Sequence, residues 1–312
     1  MSLYREQRIA LVVPCYNEGI TISKVIDDFK IALPTISVYV FDNNSTDDTA
    51  QRALESGAIV IGVKERGKGS VVRRIFSDVE ADIYVMVDGD ATYDASFVIQ
   101  LIDKLIEEKL DMVVGCRETP AEYSSLAYRV GHQWGNRALT GSVKSIFGGE
   151  FTDMLSGYRV FTKRFAKSFP ALSKGFEIET ELTVHALELR MPYGEVKTPY
   201  YARPEGSESK LSTYRDGWRI LKTIIKLYMR ERPMQFFSIA SFVFAFMSIV
   251  LFIPLLSEYL ESQSVTRLPT AVLCASLGVC SLLSLTCGLV VDNITRARHE
   301  AKRLAYLSIP WK

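Results

Sequence analysis

The chain has 312 residues, a net charge of +1 and 23% charged residues. That balance excludes a basic nucleic-acid binder and a charged disordered tail, and the length fits one large domain, or one domain with an appendage. Five cysteines with no Cys-x-x-Cys pair, and only three histidines, exclude a zinc signature and fit a reducing compartment.

Ile9 to Val13 is an apolar run that predicts a buried strand, ending in the turn Pro14-Cys15-Tyr16-Asn17-Glu18. The run is too short for a signal peptide. Ile22, Val25, Ile26 and Phe29 recur at the helical period until Pro34 stops the helix. Val38 to Phe41 predicts a second strand, closed by Asp42-Asn43-Asn44-Ser45. Ser45 and Asp48 have the spacing of a capping box for a helix through Glu55. Ala58 to Val63 predicts a third strand, followed by Gly67-Lys68-Gly69 and a helix from Ser70. Ile83 to Val87 is the fourth strand, Ser96 to Glu108 a helix, and Met112 to Gly115 the fifth strand. The alternation predicts right-handed βαβ units: an α/β, Rossmann-like, mostly parallel sheet.

Beyond Arg117, Tyr123 to Phe147 reads as helical and carries Arg129, His132, Trp134 and Arg137. Asp153-Met-Leu-Ser-Gly-Tyr-Arg159 follows, with Asp153 placed equally well as a turn cap or a site residue. A helical stretch then runs from Glu177 to Leu189, on which Glu177, Glu179 and Glu181 read mainly as a solvated face. A polar segment extends from Ala202 to Thr213, and Gly217 to Arg232 is amphipathic and cationic, suited to a membrane interface. Phe236 to Ser257 and Leu268 to Val291 are uncharged runs of 22 and 24 residues, each long enough to cross a hydrocarbon core. Lys and Arg crowd both outer flanks of this pair, so the positive-inside rule places residues 1–235 and the C-terminus in the cytoplasm. The expected organisation is a domain over 1–216, an interfacial helix over 217–235, a membrane hairpin over 236–291 and a tail over 292–312.

Four strand ends carry polar residues: Asn17 and Glu18, Asp42 to Ser45, Lys64 to Lys68, and Asp88-Gly89-Asp90. Together they form a polar rim at the carboxyl edge of the sheet, where open α/β sheets bind ligands. Asp88 and Asp90 bring two hard oxygen ligands there, suited to a divalent ion on a diphosphate. Alone the pair is weak, since about 0.7 Asp-x-Asp pairs are expected by chance among 15 aspartates. A calcium loop counted from Asp88 fails, with Tyr93 where glycine is needed and Ile99 where glutamate is needed. Gly67-Lys68-Gly69 suits a diphosphate at a helix start, but a P-loop fails because Gly69 stands where Ser or Thr would hold magnesium.

Pro14-Cys-Tyr-Asn-Glu18, Asp42-Asn-Asn-Ser-Thr-Asp47, the Gly-Lys-Gly turn and Asp88-Gly-Asp90 occur in the order of family 2 glycosyltransferases, which this chain resembles. Asp153 to Arg159 and Arg203-Pro-Glu-Gly-Ser-Glu-Ser-Lys210-Leu211 narrow the resemblance to the polyprenyl-phosphate glycosyltransferases. The resemblance implies a GT-A fold and an inverting, metal-dependent transfer of one sugar from a UDP- or GDP-sugar to a polyprenyl phosphate. It implies that Pro14, Tyr16, Glu18, Asp42, Lys68 and Gly89 bind the donor, with Asp42 on the base. Asp88 and Asp90 would hold Mg2+ or Mn2+, Arg117, Arg129 and Arg203 the acceptor phosphate, and Lys210 that phosphate or the leaving diphosphate. Asp-Asn-Asn-Ser stands where the family more often has Asp-Asp-Gly-Ser, and Gln133 where it often has a small hydroxyl residue. The implied partners are a nucleotide sugar, a lipid phosphate and the membrane, with homo-oligomerisation left open. Two other readings compete: a processive polysaccharide synthase, against which the absent Gln-x-x-Arg-Trp motif counts, and an inactive membrane scaffold, which would need none of the arginines.

Overall fold

A computed structural model describes residues 3–118, 132–173, 175, 177–204, 222, 225–226, 228–265 and 267–311, with side chains in the stretch 132–147 described from 140 onward. The strands are β1 (Leu3–Tyr4), β2 (Gln7–Cys15), β3 (Ser37–Asp42), β4 (Ile59–Gly62), β5 (Ile83–Met86), β6 (Met112–Glu118), β7 (Arg159–Thr162) and β8 (Tyr193–Pro199). The helices are α1 (Ile22–Ala32), α2 (Thr49–Glu55), α3 (Lys68–Asp78), α4 (Val98–Glu107), α5 (His132–Phe147), α6 (Lys163–Ser168), α7 (Ile178–Glu188), α8 (Pro233–Ser262) and α9 (Leu268–Leu307). The chain forms two compact units, Met1–Ile220 with Ala301–Lys312, and Leu221–Glu300.

In the first unit the sheet order is β4-β3-β2-β5-β7-β6-β8, with β1 on β2. The pairs β2–β3, β3–β4, β2–β5 and β6–β8 are parallel. β7, a strand the sequence reading did not predict, lies antiparallel to both β5 and β6, so the mostly parallel sheet is mixed at this point. The apolar runs predicted for β2, β3 and β5 supply one side of the core, through Leu11, Val13, Val40 and Val85, closed by α1 residues Val25, Ile26 and Phe29. Burial of apolar surface on this scale is the main driving force for folding.

The predicted capping box does not form. Asp48 makes no side-chain cap. Asp47 Oδ1 accepts instead from the Thr49 N–H at 3.1 Å and the Thr49 hydroxyl at 2.5 Å. The Ser45 hydroxyl accepts from the Asn17 N–H at 2.9 Å, tying the β2 and β3 ends together. α3 also begins at Lys68, two residues before the expected Ser70.

His185 on α7 is 1% exposed, edge-on to Phe165 and Phe169, with Nε2 3.1 Å from the Ser168 hydroxyl. Burial, reinforced by the Lys302 charge, pushes its pKa down to about 3. Its folded value lies below its unfolded one, so this stability is present above about pH 6.5 and is lost as pH falls toward about 3. Melting of the detergent-solubilised chain is expected about 5 °C lower at pH 5 than at pH 7.5. A His185→Leu variant should flatten that slope, and an unchanged slope overturns the assignment.

At the sheet edge where β6 begins, Asp111 is fully buried and accepts from Thr162 Oγ1 at 2.8 Å and Arg164 Nε at 2.5 Å. The chain's end packs there: Tyr306 donates to Asp111 Oδ2 at 2.8 Å, and Trp311 Nε1 donates to the Leu110 carbonyl at 3.2 Å. Helix α9 continues to Leu307, well past the end of its apolar run at Val291.

In the second unit, α8 and α9 are each long and apolar enough to cross a membrane. Both present large exposed apolar side chains, Phe242 and Phe246 on α8 and Leu282 and Leu289 on α9. They meet through small residues: Ser241 Oγ is 3.0 Å from Ser281 Oγ, and a Cβ at Gly288 would fall 2.9 Å from Phe237 Cβ. Close approach through small and hydroxyl residues suits helices in lipid, where apolar surface gives no preference for a partner. Of the predicted interfacial helix, 217–221, 223–224 and 227 lie outside the described residues; Lys222, Ile225, Lys226 and 228–231 are helical, and a bend at Arg232 separates them from α8.

Candidate active site

Parallel pairing brings the carboxyl ends of β4, β3, β2 and β5 to one edge. Cys15 lies opposite Asp42 and Val12 opposite Met86 in the strand register, so Asp42 and the Asp88-Gly89-Asp90 turn emerge on either side of the Pro14 to Glu18 segment. The turn is tightly fixed. Gly89 O accepts from the Thr21 hydroxyl at 2.6 Å, and a Cβ at Gly89 would lie 2.7 Å from Cys15 Sγ. Ala91 has φ 56°, a left-handed conformation that costs a residue with a Cβ about 1 kcal/mol or more.

Each aspartate is met by a cation. Asp88 Oδ1 lies 2.5 Å from Lys68 Nζ, and Asp90 Oδ2 lies 2.7 Å from Arg203 Nη2. Asp90 Oδ1 accepts from the Thr92 hydroxyl at 2.6 Å. Burial raises the Asp90 pKa, the Asp88 charge adds to the rise, and Arg203 opposes it. Lys68 bridges to a second carboxylate, Glu179 Oε1, also at 2.5 Å. Burial alone would lower the Lys68 pKa, but Asp88 and Glu179 outweigh it and hold the ammonium well above its usual range.

A divalent ion of the Mg2+ or Mn2+ type fits Asp88 and Asp90. Both offer hard carboxylate oxygens, and the backbone opposite Asp88 is glycine: a Cβ at Gly157 would lie 2.3 Å from Asp88 Oδ2. Gly157 is itself fixed, its N–H donating to the Tyr93 hydroxyl at 2.8 Å.

The segment bearing Gly157 is built on buried charge. Asp153 accepts from Arg117 in a bidentate pair, Nε to Oδ2 and Nη2 to Oδ1, both at 2.7 Å, and from the Arg117 N–H at 3.2 Å. Arg117 also lies 5.4 Å over the Tyr200 ring. Arg159 is fully buried and donates to the carbonyls of Ser156, at 2.9 Å, and Met154, and to the Thr183 hydroxyl at 2.9 Å. Burial lowers its pKa, countered by the charges of Glu179 and Asp153.

The residues expected to bind the donor fall on the same edge. Asp42 Oδ2 accepts from the Ser45 N–H at 3.3 Å, while Oδ1 is a buried acceptor with no hydrogen-bond partner. Tyr16 is 36% exposed, and the Glu18 N–H donates to Thr49 Oγ1 at 2.9 Å. The departure at Asn43 has a structural reason. Its amide donates to the carbonyls of Val63 at 3.0 Å and Glu65 at 2.7 Å, and its Oδ1 accepts from the Gly67 N–H at 2.7 Å. An aspartate lacks the amide donors these carbonyls use.

Sequence reading thus placed Glu18, Asp42, Lys68, Asp88 and Asp90 on one rim, with Pro14, Tyr16 and Gly89 as donor contacts implied by the resemblance, and the structure puts Arg203 beside Asp90. It left Asp153 undecided and read Glu179 as solvated. Asp153 binds Arg117, and Glu179 is 4% exposed because Lys68 recruits it. Glu181 accepts from the Leu172 and Ser173 N–H groups. Arg129 and Lys210 lie outside the described residues, as do the side chains of Gln133, Trp134 and Arg137. Burial pushes the Cys116 thiol up to about 12, consistent with reading it as a small apolar residue.

Comparison with known proteins bears on the same residues. The model of the family described as glycosyl transferase family 2 matches residues 10–168. Glycosyltransferase AglJ of Haloferax volcanii is 34% identical over 235 residues, covering 75% of this chain and 76% of the relative. The dolichyl-phosphate hexose transferase of the same organism is 27% identical over 233 residues, covering 74% and 99%. The glucosyl-3-phosphoglycerate synthase of Mycobacterium tuberculosis, solved with Mn2+, UDP-glucose and phosphoglyceric acid, shares the fold: TM-score 0.57, 24% identity, covering 72% and 79%. The fold is GT-A, as the sequence resemblance implies, and the chain belongs to glycosyl transferase family 2.

Proposed function

We propose that this glycosyltransferase transfers one sugar from a UDP- or GDP-sugar to a polyprenyl phosphate, with inversion, on the cytoplasmic side of a membrane. The observation that carries the reading is the Asp88–Asp90 pair at the carboxyl edge of the sheet, matched by Lys68 and Arg203, in a chain that also bears two long apolar helices. The 27% identity with a dolichyl-phosphate hexose transferase supports the acceptor class.

Pro14, Tyr16, Glu18 and Gly89 line the donor site, and the buried Asp42 Oδ1 accepts an N–H from the base. Uracil and guanine both offer such a donor, so Asp42 serves either. Held by Asp88 and Asp90, a divalent ion supplies Lewis-acid stabilisation to the leaving diphosphate. Lys68 faces the same diphosphate. Arg117, oriented by Asp153, grips the acceptor phosphate together with Arg129 and Arg203, and Lys210 assists one of the two phosphates. A lipid phosphate with a second pKa of about 6 is largely dianionic at neutral pH. It needs orienting guanidinium groups more than a strong base. Its oxygen attacks the anomeric carbon as the carbon–oxygen bond to the nucleoside diphosphate breaks, and the configuration inverts. The organisation proposed with this chemistry is a domain over 1–216, an interfacial helix over 217–235, a hairpin over 236–291 and a tail over 292–312, suited to an acceptor anchored in the membrane.

Membranes containing the full chain, given a panel of UDP- and GDP-sugars and undecaprenyl phosphate, should yield one lipid-linked monosaccharide by mass spectrometry. A polymer product favours a processive synthase, and no product from any donor overturns the reading in favour of a scaffold.

A further inference from the structure

Glu179 is the buried carboxylate at this edge that the roles above leave without a task. It is 4% exposed, it pairs with Lys68 through Oε1, and its Oε2 has no hydrogen-bond partner. An ionised carboxylate is seldom buried without a purpose, because desolvation costs several kcal/mol unless the ion is paired. Its partner Lys68 has a side chain only 9% exposed and two carboxylates on one ammonium, Asp88 and Glu179. One of these is also a proposed metal ligand. Lys68 therefore occupies a lone pair of Asp88 that the ion requires, and Arg203 does the same at Asp90.

We infer that Glu179 is a positioning residue that keeps Lys68 in the site as a resident counter-cation, so that metal and nucleoside diphosphate bind synergistically by ion-pair exchange. The inference rests on the metal and donor roles proposed above. The ion alone must displace Lys68 from Asp88 and leaves its ammonium with Glu179 as its one remaining carboxylate. With a diphosphate present, the freed Lys68 ammonium pairs with a phosphate oxygen, so the same displacement is compensated. Each ligand then raises the affinity for the other by the same factor, as linkage requires. Glu179 keeps the Lys68 ammonium beside the exchange point after Asp88 lets go. The helix that carries it, α7, is fixed independently, through Thr183 to Arg159. The device binds the donor and its ion together, and neither one strongly alone.

The test is Mn2+ binding to the purified full chain, followed by the loss of the free-ion paramagnetic resonance signal, with UDP and GDP in parallel. The wild type should bind Mn2+ about tenfold or more tightly when the matching nucleotide is saturating. Lys68→Met alone strands Glu179, so the informative variant is the charge-balanced Lys68→Met/Glu179→Gln. That variant should bind Mn2+ alone several-fold more tightly than wild type and lose most of the nucleotide-induced gain. Glu179→Gln alone leaves Lys68 dependent on Asp88 and unheld once Asp88 lets go, so it should weaken binding of Mn2+ alone and cut the gain with nucleotide. If wild type shows the gain and both variants match it, ion-pair exchange is overturned while the metal and donor roles stand. Should the wild type bind no Mn2+ with either nucleotide, those roles fail and this inference falls with them.

Discussion

Asp90→Ala is expected to lower sugar transfer by about a thousandfold or more while leaving the protein folded and membrane-bound. Asp90 is 3% exposed, and its carboxylate is disfavoured by burial and by the neighbouring charge of Asp88. Arg203 offsets this only in part, and its side chain is 31% exposed. Removing Asp90 therefore relieves a charge that burial opposes and leaves no buried cation stranded. The melting temperature should stay level or rise, as at sites where function is held against stability. The same loss of activity should follow from excess chelator acting on the wild type. Full activity in the variant, or in chelator, removes the metal role. Lost activity with a collapsed melting temperature instead makes Asp90 a structural residue.

The parts of this site that sequence reveals are those set by local pattern. The apolar runs of β2, β3 and β5 each end in polar residues, and parallel pairing carries those ends to one edge. β7 and β8 escape such reading. β7 is four residues with a fully buried arginine at its head, and β8 alternates Val196 and Thr198 with Glu195 and Lys197, too polar to stand out as a core strand. The ion pairs escape it for a different reason. Lys68 and Glu179, or Arg117 and Asp153, are far apart in the chain and become neighbours only through the sheet order. A glutamate on a helix has no local mark of burial; its partner decides it. The same holds for Tyr306 and Trp311, which read as part of a tail and instead hydrogen-bond to Asp111 and Leu110.

Asn43→Asp is expected to cut donor kcat/KM by about a hundredfold, although it restores the commoner family residue at that position. The change is nearly isosteric, so the effect must come from hydrogen bonding. Asn43 donates to two carbonyls, Val63 and Glu65, and accepts from Gly67 N–H, and the segment so pinned leads directly into Lys68. A carboxylate keeps the bond from Gly67 but turns both donations into contacts between oxygens bearing negative charge. Two lost bonds at a site 7% exposed correspond to about 2 kcal/mol of stability, the Val63 carbonyl keeping the Asn44 amide as a donor. The segment relieves the repulsion by moving away, and Lys68 leaves the diphosphate position with it. Asn43→Ala loses the same bonds without the repulsion and should be milder. Because a protonated aspartic acid can donate once, the Asn43→Asp variant should recover part of its stability as pH is lowered toward 5, against the trend set by His185. Steady-state kinetics in the donor, with melting curves at two pH values, separate these outcomes. Wild-type kinetics in Asn43→Asp would mean that the loop before α3 is held by other contacts and that Asn43 does not position Lys68.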